Sequence, residues 1–177
     1  VSAKWSVWDI ARANFKTYSN AITGKPMASD YIAFLVIPAG LAIACGIAAK
    51  TGHFHLTNVS QFIGGVGIFT GLLFGLLTNV FTLSLKVRRD EGLEPDHLAI
   101  RQVRELFSNI GWSVTVGLAL IVSVVSAAAT HKSTDPLGAI WVGFLTFLFS
   151  HLIMTVLMAL KRLWFAHESI SKLPPKS

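Results

Sequence analysis

Charge is scarce in this chain. Only 14% of its 177 residues are Asp, Glu, Lys or Arg, against about a quarter in a soluble domain. There is one cysteine, Cys45, so an internal disulfide framework and a cysteine metal cluster are both excluded. Acidic residues number nine, and none lies in the apolar interior of a long hydrophobic run. Paired carboxylates for proton transfer within a membrane are therefore missing. So are a phosphate-binding loop, an activated-serine elbow and a zinc-protease signature. Without a convergent group of this kind, and with polar segments too short for a separate catalytic domain, no enzyme is expected.

What the chain has instead is apolar surface: 53% hydrophobic residues, with 12 Phe and 5 Trp. These concentrate in four runs, at 31–49, 61–85, 111–129 and 137–160. A helix needs about 20 apolar residues to cross roughly 30 Å of hydrocarbon, and each run is close to or beyond that length. Helices of a soluble bundle each keep a polar face, whereas these runs are apolar nearly all round. The expected fold is all-α: a four-helix transmembrane bundle forming one integral membrane domain over 1–177. The first run reads as a retained helix, because it lacks a convincing cleavage site. No cofactor is expected.

The net charge of +6 is explained by topology before any nucleic-acid partner is invoked. Lys4, Arg12, Lys16 and Lys25 precede the first run. Lys86, Arg88, Arg89, Arg101 and Arg104 lie between the second and third, and Lys161, Arg162, Lys172 and Lys176 follow the fourth. The remaining two of the 15 basic residues, Lys50 and Lys132, lie in the two short loops. The positive-inside rule places the tails and central loop in the cytoplasm of a cell inner or plasma membrane, N-in and C-in. Trp112, Trp141 and Trp164 then fall at interfacial belt positions. Two amphipathic stretches, at about 4–22 and 95–110, are expected to form separate cytoplasmic interfacial helices. Pro95 and Asp96 suit the start of the second. The central loop, with charges of both signs, suits orientation and solubility or contact with lipid head groups.

Interfacial helix, span, short loop and span occur twice in order, and IARANFKTYSN from Ile10 echoes IRQVRELFSN from Ile100. Either the chain is a parallel duplication of one hairpin, or the echo reflects only similar basic amphipathic composition.

Span two carries the sharpest pattern. Gly67, Gly71 and Gly75 recur every four residues, Asn79 continues the series, and Gly64 and Gly65 add small residues. Such a stripe permits close helix approach, with Asn79 able to hydrogen-bond across it. The contact is expected within the chain, at a subunit interface, or along a pore. His151, with Thr155 one turn on, is the one strongly ionisable group deep in a span. It is a functional candidate for conduction, ligand contact or gating, or else a structural hydrogen-bonding group. His53 and His55, joined by His131 and Asp135 from the other short loop, have the ligand types for zinc but little specificity. Pro38, with Gly40 and Gly46, is expected to bend span one. Asp30 and the 58–60 segment are expected to cap helices.

Two function classes follow. One is an oligomeric small membrane protein that forms or contributes to an ion-conducting or transport pore, lined by Asn79 or by His151 and Thr155 and gated by an apolar constriction. The other is a non-catalytic accessory or structural subunit of a larger membrane complex. Expected partners are membrane lipids and either further copies of the chain or other membrane subunits.

Overall fold

The computed structural model describes residues 6–18, 28–90, 98–132 and 134–171. Among these the only regular elements are helices: α1 (Trp8–Lys16), α2 (Ala28–Tyr31), a π-helical turn (Ile32–Val36), α3 (Ile37–Lys50), α4 (Ser60–Asp90), α5 (Leu98–Thr130) and α6 (Ala139–Ser171). Four helices are long and apolar enough to cross a membrane, over Ala28–Lys50, Ser60–Lys86, Ile100–Thr130 and Ala139–Phe165. At about 1.5 Å per residue, the helices containing the last three outlast the hydrocarbon layer. The amphipathic stretch expected at 95–110 is, where described, the opening turns of α5 and runs on without a break into the third span. The expected helix at 4–22 is described only in part, as α1; positions 4, 5 and 19–22 lie outside the described residues. Asp30 stands inside the first turn of α2 instead of capping it.

The spans run up and down, and their contacts place them in the order α3, α6, α5, α4. Neighbours α3 and α4 make no helix-to-helix contact with each other. A duplication would make α3·α4 equivalent to α5·α6. The α3·α6 and α4·α5 pairs do match under that relation, but the α5·α6 contact has no counterpart.

The middle helix shows why the row holds. Along α5 the buried positions step alternately by three and four residues: Val103, Leu106, Ile110, Ser113, Gly117, Leu120, Val124 and Ala127. From Val59, just before α4, through Val66, Leu73 and Val80 within it, buried residues recur every seven. This is the spacing of left-handed knobs-into-holes packing. In lipid the gain comes from close van der Waals contact, because hydrocarbon tails are as apolar as leucine.

Close approach occurs at glycines other than the stripe. A Cβ at Gly117 would lie 2.6 Å from Thr70 Oγ1, so α4 sits directly against the α5 backbone. Between α3 and α6, a Cβ at Gly46 would meet Ala139 O at 3.3 Å and one at Gly143 would meet Ala42 O at 3.2 Å. Ala42/Gly46 and Ala139/Gly143 are thus facing small-residue pairs, each four apart. Gly67, Gly71 and Gly75 have open space where a Cβ would be. The stripe is therefore not a packing face within the chain, because α4 spends its buried side on α5 and turns the stripe outward.

At the end with the short loops, the Leu137 N–H donates to Leu56 O at 3.0 Å, tying the two connections together. Residues of α4, α5, α6 and the 51–59 segment line an apolar cleft of about 190 Å3, with Val66, Leu120 and Leu145 among them. The opposite end carries α1, which packs on α5.

Candidate functional site

Pro38 lies in the first turn of α3, where a missing N–H is tolerated. In a regular helix the N–H at 38 would serve the carbonyl of Phe34. The backbone answers by widening: the Ile37 N–H donates to Ile32 O, five residues back. The expected effect of Pro38 on span one thus takes the form of a π turn, and Pro38 itself is buried. His151 of α6 reaches the Phe34 carbonyl with Nδ1 at 2.7 Å. Its other nitrogen, Nε2, lies 3.0 Å from the indole Nε1 of Trp112 on α5.

These two partners determine the tautomer. An indole N–H only donates and a carbonyl only accepts, so Nε2 is the acceptor and Nδ1 carries the proton. The ring is also stacked on Phe147, with centroids 5.8 Å apart. His151 is 3% exposed, and both its nitrogens are engaged. It joins three spans as a bridge and offers no free lone pair to a ligand. Trp112, expected in an aromatic belt, instead turns inward to supply the donor. Thr155 is fully buried and donates to Leu152 O at 2.9 Å within its own helix. Neither His151 nor Thr155 lines an open path.

A second polar layer lies at the basic end. Arg162 of α6 donates one guanidinium nitrogen to Glu105 of α5 and the other to Thr17 O at 2.6 Å. Glu105 also pairs with Arg101 at 3.1 Å. The Thr17 hydroxyl lies 2.9 Å from Asn109 Oδ1 and 2.6 Å from Asn14 O. Tyr18 stacks on Phe34 with centroids 5.0 Å apart, and the Asn14 side-chain amide donates to its hydroxyl at 3.3 Å. Burial raises the Tyr18 phenol above its ordinary pKa, a shift that the Asn14 hydrogen bond opposes. The fork of Arg162 closes the loop after α1 onto two spans, a task suited to a planar guanidinium with several donors. Asn14, Thr17 and Arg162 were not singled out from sequence. Their signal was the polar residues recurring on the apolar side of α1, and one arginine just past an apolar run.

The histidines of the short loops do not assemble a metal site. Among the described residues, no three His, Cys, Asp or Glu side chains are grouped to hold an ion. His53 Nδ1 is 2.9 Å from Thr51 Oγ1, while His131 is engaged with Thr130 and packs edge-on to Trp141. His55 is exposed.

Asn79 differs from every polar group above. It is exposed on α4 within the apolar span, and its amide makes no hydrogen bond to any described residue. Gly71 and Gly75, preceding it by two and one four-residue steps, are exposed as well. Among the described residues, four helices are long and apolar enough to cross a membrane, by length and composition. Comparison with protein-family models, curated proteins and solved structures gives no match.

Proposed function

We propose that the chain is a non-catalytic structural subunit of a membrane assembly, lying in a cell inner or plasma membrane with both termini in the cytoplasm, and that α4 is its docking helix. The observation that carries this reading is the exposed amide of Asn79, unpaired among the described residues and aligned with the open backbone at Gly71 and Gly75. An amide left unpaired in hydrocarbon is costly, and small residues beside it admit a neighbouring helix closely. A second copy satisfies both needs, since an asparagine carries donor and acceptor and can pair with its own symmetry mate. The inward engagement of His151, Trp112, Thr17 and Arg162 supports a structural role over a conducting one, because these groups hold helices together.

Asn79 also supports the alternative of an ion pathway, as it would face the axis in a ring of α4 helices. The experiment is the particle mass of the full chain in nanodiscs, with co-purifying chains identified, followed by ion flux in vesicles. A homodimer without flux, reduced to monomer by Gly71→Leu, is the expected result. A closed ring whose flux is lost in Asn79→Leu favours the pore. A monomer with no partner overturns both.

A further inference from the structure

At the basic end, α2, α5 and α6 leave a pocket of about 550 Å3, on helices other than α4. Its apolar side includes Leu157 and Phe165, which are 54% and 46% exposed, so its mouth lies on the flank that faces lipid. Its polar lip carries Asp30 of α2, Gln102 of α5 and Lys161 of α6. Arg162 and Glu105, also at the lip, are already joined to each other.

The lip has unmet requirements of both signs. Lys161 and Asp30 have no hydrogen bond or ion pair among the described residues. Gln102 Oε1 is buried and receives no hydrogen bond. Among the described residues, one cation therefore lacks a paired anion and two acceptors lack a hydrogen-bond donor, Arg162 acting on Asp30 only through space. The apolar floor, with Met154 and Met158, continues from this lip along α6.

We propose that this pocket binds one phospholipid with a primary-amine head group, of the phosphatidylethanolamine class. The phosphate lies against Lys161, the ammonium donates to Asp30 and Gln102, and an acyl chain follows Met154 and Leu157. A phosphocholine head has no N–H to give either acceptor. A phosphatidylglycerol head offers neutral hydroxyl donors but no cation for Asp30, and it adds net negative charge beside that carboxylate. Ammonium and carboxylate form a charge-assisted hydrogen bond, the stronger kind, and phosphate meets lysine as a point charge. This assignment needs the membrane but not the α4 interface.

The test is native mass spectrometry of the delipidated full chain in neutral detergent, titrated with phosphatidylethanolamine, phosphatidylcholine and phosphatidylglycerol of identical acyl chains. Phosphatidylethanolamine is expected to bind at least about tenfold tighter than the other two, the scale of one hydrogen bond to a charged group. Asp30→Asn is expected to erase that preference, Asp30→Glu to retain most of it, and Lys161→Gln to weaken all three lipids. Lys86→Gln, on exposed α4, serves as the neutral control. Soluble phosphoethanolamine at the lipid's concentration is expected to leave the lipid bound. Equal binding of the three lipids, or a preference that survives in Asp30→Asn, overturns the proposal. So does displacement by the free head group, which would assign the lip to a soluble ligand. Unchanged thermal midpoints for the variants separate loss of the site from loss of the fold.

Discussion

The His151 imidazole donates from Nδ1 to the Phe34 carbonyl at 2.7 Å, and that carbonyl stands four residues before Pro38. The proline that withholds a helical donor in span one and the histidine that supplies one from span four are thus two parts of one device. Trp112 completes it by holding Nε2 at 3.0 Å. His151→Ala is expected to lower stability by about 1–3 kcal/mol, the cost of stranding a buried polar group. Pro38→Ala restores the N–H, so the double variant should recover about 1 kcal/mol of that loss. Unfolding of the parent and the three variants in mixed micelles checks it; strictly additive losses would separate the two residues.

Gly117 and Gly71 make opposite demands on the same substitution. Gly117→Ala brings a methyl group into Thr70 Oγ1 and is expected to cost about 1–3 kcal/mol, as for overpacking. Thr70→Ala in the same chain should relieve most of it. Gly71→Ala meets open space, so the unfolding midpoint of the monomer should not fall and can rise by the helix-propensity gain of up to about 1 kcal/mol. The comparison needs only thermal melts at low protein concentration.

Removing the Arg162 fork should release α1 without opening the spans. In Arg162→Ala, Thr17 O and Glu105 each lose a donor. Amide exchange across 8–16 is expected to quicken by about tenfold, equivalent to about 1.4 kcal/mol. Exchange in the middle of α5 should hold. Equal acceleration in both places would show that α1 and the bundle open together.

The buried phenol gives an alkaline limit. Tyr18 has a folded pKa above its ordinary value of 10.0, so above that pH the unfolded chain loses the proton first. Stability tied to Tyr18 is then complete below about pH 10 and falls as pH rises through the folded value. Thermal midpoints measured from pH 8 to 11 should decline less in Tyr18→Phe than in the parent.

The four spans were legible because apolar length is a property of contiguous residues. The continuity of α5 was not: its first turns carry Arg101, Arg104 and Glu105, and charge there reads as a surface helix until Glu105 is seen paired to Arg101 and Arg162. The glycine stripe at 67, 71 and 75 was visible, but spacing cannot tell which side of a helix is occupied, and Val66, Leu73 and Val80 took the inner side. The real close contacts, Ala42/Gly46 against Ala139/Gly143, use the same four-residue spacing with one glycine each. His151 was visible as an oddity. Its partners were not, since nothing local links position 151 to a carbonyl 117 residues earlier.

The order of the helices governs how the chain can be made. Because α3 and α4 touch α6 and α5 but not each other, these two spans have no mutual interface to settle into as they are made. They must wait in the bilayer, each a separately stable helix, until the second pair is inserted. Thr17 waits longest, for Arg162 lies 145 residues downstream. Assembly of these four helices therefore waits on the later pair, and α3 keeps an open edge until α6 emerges.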